Sequence, residues 1–348
     1  MAGWAAGVHA FEFFHSGENH NVNQNDERSP RVAPMRRIMI AVDDSNASRQ
    51  ALRFAARVTP PDAEVRIVCA AGQPGAWAAG GAFTAGDAWI TDTIAAAREG
   101  LHAEAELTLD QAMLAFKGRC ATVEGLVVGR GGESGAVVQA VSAAARDWRA
   151  DLLVVGARHR GRVKRWVDGS VSAALAVSAP CPLLVVPDEY EAAEYDADGR
   201  PGLARVVLAT DGSAPSTQAI DAAMRLIAQP TALRAVYVVD RSGVAADPVP
   251  GSALEEALAA QGRKALAAAV EQLAPGGCVT EAALVATALI RDDVAHAVLR
   301  DAQAWNADLV VLGTHGRRGV ARWLLGSVAQ RAVEIAHVPL LLVGPSQA

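Results

Sequence analysis

Residues 313–327 read GTHGRRGVARWLLGS and directly follow DLVVL at 308–312, a run with the length and composition of a buried strand. Within the stretch, Gly313, Gly316 and Gly326 are spaced between that predicted strand and a predicted helix. A glycine-containing loop in this position brings backbone N–H groups close to a phosphate. The spacing therefore predicts an anion-binding loop at the end of a strand.

A second version of this stretch lies 157 residues earlier, at 156–170, where the sequence reads GARHRGRVKRWVDGS. It also follows an apolar run, DLLVV, and it keeps Gly156 and Gly169. His159 stands where the later copy has Gly316. A side chain at that position would crowd a phosphate that approaches the backbone. We therefore expect two similar domains, of which only the second keeps the complete loop.

The rest of the chain repeats in the same order. Predicted strands at 37–42 and 64–70 recur 168 residues later, whereas later segments recur after 157, so the second half is 11 residues shorter in its middle. Strand-like runs alternate with helical patterns, which indicates βα units and a parallel sheet. The predicted strands lie at 37–42, 64–70, 121–128, 151–155 and 182–186, then at 205–210, 232–239, 279–286, 308–312 and 339–343; the predicted helices include 91–117, 134–148, 252–274 and 290–305.

Changes in composition along the chain indicate the domain boundaries. Residues 1–34 contain a long polar, aperiodic segment and are expected to be a disordered extension, and Met35 is an alternative translational start. An acidic segment with Gly and Pro at 189–202 reads as a linker. We therefore expect two doubly wound α/β domains, each with a five-stranded parallel sheet flanked by helices, at 35–188 and 203–345. Their short apolar final strands would, if paired, make an internal pseudo-dimer.

Composition and charge also narrow the function classes. A net charge of −6 argues against general nucleic-acid binding, which needs a basic field. The four cysteines lie far apart without metal-ligand spacing. No secretory signal is recognised, and no apolar run approaches the ~20 residues of a membrane span. We expect a cytoplasmic protein with no metal site of its own and no membrane or nucleic-acid partner.

The residues that directly follow the strands are the candidates for ligand contact. In open parallel sheets, ligands bind at the carboxyl ends of the strands, where the strand order reverses. In the second half these residues include Asp211, within the sequence TDGS, and Gly313. Ser327 begins the next predicted helix, whose first N–H groups lack intrahelical partners and carry partial positive charge. These features together predict a site for an anionic ligand.

With these motifs the sequence resembles the nucleotide-binding class of the universal stress protein family. The resemblance rests on the G-x2-G-x9-G-S pattern that begins at Gly313, joined to the Asp211 motif, and covers nearly all of 36–344 as two tandem copies. It implies a Rossmann-like fold of the adenine nucleotide alpha hydrolase type that binds ATP, with Mg²⁺ as a companion of the nucleotide. It also implies a role as a sensor or regulator in the stress response.

The resemblance assigns a role to individual residues. Asp211 and Val238 would line the adenosine, Leu312 and Gly313 would lie under the nucleotide, and the later glycines would hold the phosphates. Ala209 departs from the proline that the family often has there. The implied ATP site comprises Ala209, Thr210, Asp211, Val238, Leu312, Gly313, Gly316, Arg317, Gly326, Ser327 and Val328. A second candidate nucleotide site, in the first half, comprises Val42, Asp43, Ala70, Gly156, Gly169, Ser170 and Val171.

Alternatives remain open for each half and for the whole chain. The basic first-half loop is either a solvated cationic loop or an altered anion site that uses arginine charges. The chain as a whole could be an interaction module in which the glycine loops are only structural, and it could form a further homo-oligomer. Alternatively, it could be an enzyme that transfers phosphoryl or adenylyl groups. No nucleophile or general base stands out, and THGR at 314–317 lacks the HxGH pattern of adenylyl-transferring relatives. At most, weak ATP hydrolysis is expected.

Overall fold

The structure is a computed structural model that describes most of both halves. At residues 88–91, 134 and 251–253 it describes the backbone but not the side chains. The described residues are 33–71, 88–129, 134–158, 171–191, 202–227, 231–241, 251–288, 292–316 and 325–344. The predicted extension at 1–34 therefore lies almost wholly outside the described residues. Met35, its neighbour, is fully buried in the core.

Each half folds as alternating strands and helices. The first contains β1 (Arg37–Val42), α1 (Asn46–Val58), β2 (Glu64–Ala70), α2 (Ala88–Leu114), β3 (Thr122–Val128), α3 (Ser134–Asp147), β4 (Leu152–Ala157), α4 (Val171–Ser178) and β5 (Leu183–Pro187). The second contains β6 (Arg205–Ala209), α5 (Ala214–Leu226), β7 (Ala232–Val239), α6 (Gly251–Leu273), β8 (Thr280–Ala286), α7 (Val294–Ala304), β9 (Leu309–Gly313), α8 (Ser327–Ile335) and β10 (Leu340–Val343).

The predicted fold class is confirmed, and the predicted strand bounds differ from the observed ones by at most two residues. The helix expected at 290–305 is shorter than predicted. Asp293 caps it, since its side chain accepts a hydrogen bond from the backbone N–H of His296 at 2.9 Å. A side chain that satisfies a first-turn N–H fixes where a helix begins, and α7 starts at Val294 for that reason.

All ten strands form one sheet in the order β3-β2-β1-β4-β5-β10-β9-β6-β7-β8. Pairing within each half is parallel, and β5 joins β10 antiparallel, with Leu184 opposite Leu341. The expected pairing of the two final strands is therefore present. In each half the strand order reverses beside the first strand, between β1 and β4 and between β6 and β9. These reversals create the two crevices where a ligand would bind.

Helices cover both faces of the sheet, and strand residues alternate between two cores. Ile38 and Ile40 belong to the core under α1, α2, α5 and α6, whereas Met39 belongs to the core on the other face. On that second face, each half also has an equivalent contact between an arginine side chain and a tryptophan ring. Arg66 lies over the Trp148 ring at 4.7 Å, and Arg234 lies over Trp305 at 5.7 Å.

Two reciprocal ion pairs join the halves. Arg57 Nη2 lies 3.1 Å from Asp308 Oδ1, and Arg225 Nη2 lies 2.8 Å from Asp151 Oδ1. The first pair is the more deeply buried, with the Arg57 side chain 3% exposed and the Arg225 side chain 33% exposed. The second carboxylate oxygen, Oδ2, of each aspartate accepts hydrogen bonds from two backbone N–H groups at the start of the first strand of its own half. Each aspartate therefore binds the start of the first strand in its own half and an arginine on the first helix of the other half.

The two equivalent aspartates provide a matched test of burial. Asp308→Asn should lower the free energy of unfolding by about 3 kcal/mol, because it leaves the Arg57 charge buried without its counter-ion. Asp151→Asn should cost about 1 kcal/mol or less, since its partner is partly solvated. Urea unfolding of the two variants measures the difference. Equal losses would contradict this account of the junction.

Candidate functional site

The turn after β6 holds Asp211 in a fixed orientation. The N–H of Thr210 donates to the carbonyl of Val236 at 2.9 Å, which ties the end of β6 to β7. Asp211 Oδ1 accepts from the backbone N–H of Ser213 at 2.9 Å and from its hydroxyl at 2.5 Å. A carboxylate that closes such a turn is held by the backbone of the turn, so Asp211 is fixed at the end of β6.

The loop after β9 approaches this turn. A Cβ added to Gly316 would lie 3.1 Å from Asp211 Oδ2. Gly316 is not among the described glycines with positive φ. Glycine is therefore suited to position 316 because the Asp211 carboxylate lies close to it, and not because the backbone there is left-handed.

Gly326 brings the start of α8 to the same place. Its N–H donates to the carbonyl of Thr314 at 2.7 Å, and a Cβ there would lie 2.9 Å from the same oxygen. Gly326 is the N-cap of α8, and no side-chain hydrogen bond caps this helix within the described residues. The first-turn N–H groups at Ser327 and Val328 are left without a side-chain cap, which suits an anion.

Gly313 has a packing role that the sequence analysis missed. A Cβ there would lie 3.1 Å from the carbonyl oxygen of Pro215 in α5, and a Cβ on Gly156 would lie 2.4 Å from the carbonyl carbon of Ala47 in α1. These glycines let the first helix of each half sit on the end of the fourth strand. The recurrence of both helix and glycine in the same order was the available signal.

The remaining predicted residues occupy different positions. Leu312 is buried in the core at 4% exposure, so only its backbone can face a ligand. Ala209 and Val238 are half-buried at or near the ends of their strands. Arg317 lies outside the described residues.

Thr314 and His315 were not predicted as site residues, although they lie inside the quoted motif. Thr314 Oγ1 and His315 Nδ1 are 2.9 Å apart and share a hydrogen bond. His315 Nε2 is buried and has no hydrogen-bond partner among the described residues. A polar ring therefore stands between two glycines of the crevice with one nitrogen unmatched.

The first-half crevice is arranged differently. Asp43 Oδ1 accepts from the Ser48 hydroxyl at 2.6 Å and from the Ser45 N–H at 3.0 Å. Asp43 Oδ2 pairs with Arg158 Nη2 at 2.5 Å. Of the other residues predicted here, Gly169 and Ser170 lie outside the described residues, as does His159; Val42 is buried, Ala70 is half-buried, Gly156 packs on α1, and Val171 begins α4.

Several groups act on the pKa of Asp43. Partial burial of the carboxyl group raises its pKa, but hydrogen bonds from Ser45 and Ser48 and the charge of Arg158 outweigh burial, so that the pKa is lowered. At neutral pH the carboxylate is consequently charged, and it is engaged by these hydrogen bonds and by the Arg158 ion pair.

One cavity lies beside the second-half crevice, and a larger groove runs along α7. A cavity of about 330 Å³ between α5 and α6 reaches Thr210 and Gly212. A larger groove of about 740 Å³ is lined by α7, Tyr190 and Asn306. Its lining also includes Ala288 and Asp292, which follow β8, so the groove runs along α7 from the carboxyl end of β8 to the amino end of β9.

The described residues include no group of three His, Cys, Asp or Glu side chains placed to hold a metal ion. In the same part of the chain, no helix combines the length and apolarity needed to cross a membrane.

Comparison with known proteins identifies the class. The model of the universal stress protein family matches residues 34–187 and again residues 203–344. Universal stress protein MJ0531 of Methanocaldococcus jannaschii is 35% identical over 142 residues, 40% of this chain and 81% of that protein. Universal stress protein Rv2623 of Mycobacterium tuberculosis is 29% identical over 199 residues, which cover 56% of this chain and 62% of that relative.

A solved structure shares the fold. The crystal structure of a universal stress protein from Archaeoglobus fulgidus aligns with a TM-score of 0.53 at 15% identity, over 88% of this chain and 98% of that one. Another universal stress protein, solved in complex with cAMP, aligns with a TM-score of 0.32 at 23% identity, over 41% of this chain and 97% of that one. The fold defines a tandem protein with two Rossmann-like α/β domains. The chain belongs to the universal stress protein family, as two copies of its domain.

Replacing Gly156 or Gly313 with alanine adds the same methyl group but should lower the stability of the protein by different amounts. Gly156→Ala should destabilise the protein by about 1–3 kcal/mol, because the new Cβ would overlap the backbone of α1. Gly313→Ala should cost less, since its 3.1 Å contact needs a shift of only a few tenths of an ångström. Thermal unfolding compares the two, and a larger loss for Gly313→Ala would refute the packing explanation.

The lowered pKa of Asp43 predicts a pH-dependent contribution to stability. A carboxyl group with a depressed pKa in the folded state stabilises fully above its ordinary pKa of about 3.9, and loses this effect as the pH falls through the folded value. The melting temperature of the protein should exceed that of Asp43→Asn by a constant amount from pH 7 to about pH 5. The difference should close below about pH 4. A difference unchanged down to pH 3 would show that the Asp43 charge contributes nothing.

Proposed function

We propose that this chain binds ATP in its second half and acts as a sensor or regulator in the stress response, in the cytoplasm. The observation that carries the proposal is the convergence of Asp211, Gly316 and the uncapped start of α8 on one crevice. A carboxylate suited to ribose hydroxyls thus lies beside a phosphate-binding helix start.

The residues present fit a nucleotide. Gly316 and Gly326 leave room where a side chain would collide with Asp211 or with the Thr314 carbonyl. The backbone N–H groups at Ser327 and Val328 would donate to phosphate oxygens, and each such bond to a charged group contributes about 1.5–3 kcal/mol. Leu312 and Gly313 would support the nucleotide through their backbone. Mg²⁺ would arrive with ATP as a companion of its phosphates.

The domain division belongs to the same proposal. We assign 35–188 and 203–345 to the two domains and 189–202 to the linker between them. The two family matches, 34–187 and 203–344, support these boundaries. The nucleotide would occupy the second domain, and the first would serve as its structural partner through β5 and β10.

The pairing of β5 with β10 disfavours the alternative of an interaction module built on these strands. Each final strand already has neighbours on both sides, so neither offers a free edge to another chain. ATP binding consequently accounts better for the glycine loops than assembly does.

The second-half site can be tested with Gly316→His, which copies the first-half residue. We expect ATP affinity to fall at least tenfold, because the side chain would displace phosphate or the Asp211 carboxylate. Calorimetry measures the affinity. ATP at ~100 times Kd should stabilise the unmodified protein by about 2.7 kcal/mol, which raises the melting temperature of a ~150-residue domain by about 5–11 °C.

Gly316→Ala is the matched control, since its 3.1 Å contact can be relieved by a small movement of the Asp211 carboxylate. It should retain more affinity than Gly316→His. Unchanged ATP affinity in Gly316→His, or no ATP binding by the unmodified chain, would refute the assignment. cAMP titrated in parallel would show whether the site requires the β- and γ-phosphates.

A further inference from the structure

The outer side of α2 carries large apolar side chains that are open to solvent. Leu107 and Leu114 are 62% and 67% exposed, and neither belongs to the two cores. Residues seven apart lie on the same side of a helix, and these two are about 10 Å apart along its axis. Ala103 and Gln111 lie on this side as well, are exposed and carry no charge. These four residues form the leucine face of α2.

The duplicated second half provides a matched helix for comparison. The 157-residue repeat aligns α2 with α6, and the inner sides of the two helices agree. Leu109 is buried, as is the corresponding Leu266, and Ala112 is buried like the corresponding Ala269. The two helices therefore pack on the sheet in the same register, so their outer sides can be compared residue by residue.

The leucines of α2 correspond to charged residues in α6. Leu107 aligns with Lys264, and Leu114 aligns with Glu271. Both charged residues are exposed, so the fold accepts them at these positions and does not require leucine. One exposed leucine is ordinary at a protein surface. Two on one side of a helix, where the duplicate has charges, indicate a contact with another molecule.

Acidic side chains border the leucine face. The exposed acids of this part of α2 are Glu99, Glu104, Glu106 and Asp110. With about 3.6 residues per turn, Glu104 falls on one side of the leucines and the other three fall on the opposite side. The aligned residues of α6 are Glu256, Gln261, Arg263 and Ala267. The acidic border, like the leucines, is therefore specific to the first half.

We propose that the leucine face of α2 is a docking surface for an amphipathic helix of a partner protein, whose apolar side is flanked by Lys and Arg. Anchors three, four and seven residues apart are the spacing at which helices dock on one another. The partner would cover Leu107 and Leu114, and its cations would meet the bordering carboxylates, as flanking charges do in coiled coils. A second copy of this chain fits less well, because it would bring the same carboxylates against one another.

The duplicated half also supplies the variants. The leucine variant, Leu107→Lys with Leu114→Glu, gives α2 the residues of α6 and leaves the net charge unchanged. The border variant, Glu104→Gln with Glu106→Arg and Asp110→Ala, transfers the α6 border and keeps both leucines. All five positions are exposed, so both full-length variants should melt within a few degrees of the unmodified protein. Circular dichroism verifies their folding.

The probe is a fluorescein-labelled synthetic helix of about 18 residues, with leucine on one side and lysine on both flanks. Fluorescence anisotropy measures its affinity for each full-length chain, with a peptide of scrambled order as the control. We expect a micromolar Kd for the unmodified protein and at least tenfold weaker binding for each variant. Added salt should weaken binding to the unmodified protein more than binding to the border variant, because salt screens exposed charges.

Three results would overturn the proposal: no binding of the probe, equal binding of the scrambled peptide, or unchanged affinity in either variant. The border variant keeps the test valid even if replacing the leucines impairs folding. Sedimentation of the protein alone tests the other occupant. A dimer that is lost in the leucine variant would show that this face joins two copies, which also overturns the proposal. The surface lies outside the proposed ATP site, so each of these outcomes is independent of ATP binding.

Discussion

The antiparallel pairing of β5 with β10 is the contact on which the rest of the structure depends. It places two five-stranded sheets edge to edge, so that the final strand of each half becomes an interior strand. The ion pairs of Arg57 with Asp308 and of Arg225 with Asp151 follow from the same approximate twofold relation. Because these aspartates also hold the starts of β1 and β6, the junction and the sheets are stabilised by the same side chains.

The fold could be predicted from the sequence because its signals are periodic and occur twice. Apolar runs such as those of β4 and β9 carry little ambiguity when the same order of segments returns later in the chain. The start of α7 was predicted less well, since the capping geometry of Asp293 decides it locally. The convergence of Asp211 with Gly316 was predictable from topology, because the ends of neighbouring parallel strands meet.

The contact between Arg158 and Asp43 could not be predicted in the same way. Sequence spacing shows where a backbone loop begins, but it does not show which long side chain reaches across the crevice. The glycines illustrate the same point. Gly156 and Gly313 admit a helix, whereas Gly316 lies against a carboxylate. One recurring residue type thus serves two physical requirements, and only the neighbouring atoms distinguish them.

The covalent fusion of the two halves has an evolutionary consequence. In a dimer of identical chains, every substitution appears in both subunits, so a change that alters one site alters the other. Within this single chain, Arg158 and His315 can differ while the shared sheet and its reciprocal ion pairs are retained. In a chain of two joined copies, one site can therefore change alone while both copies keep the residues that hold the shared sheet.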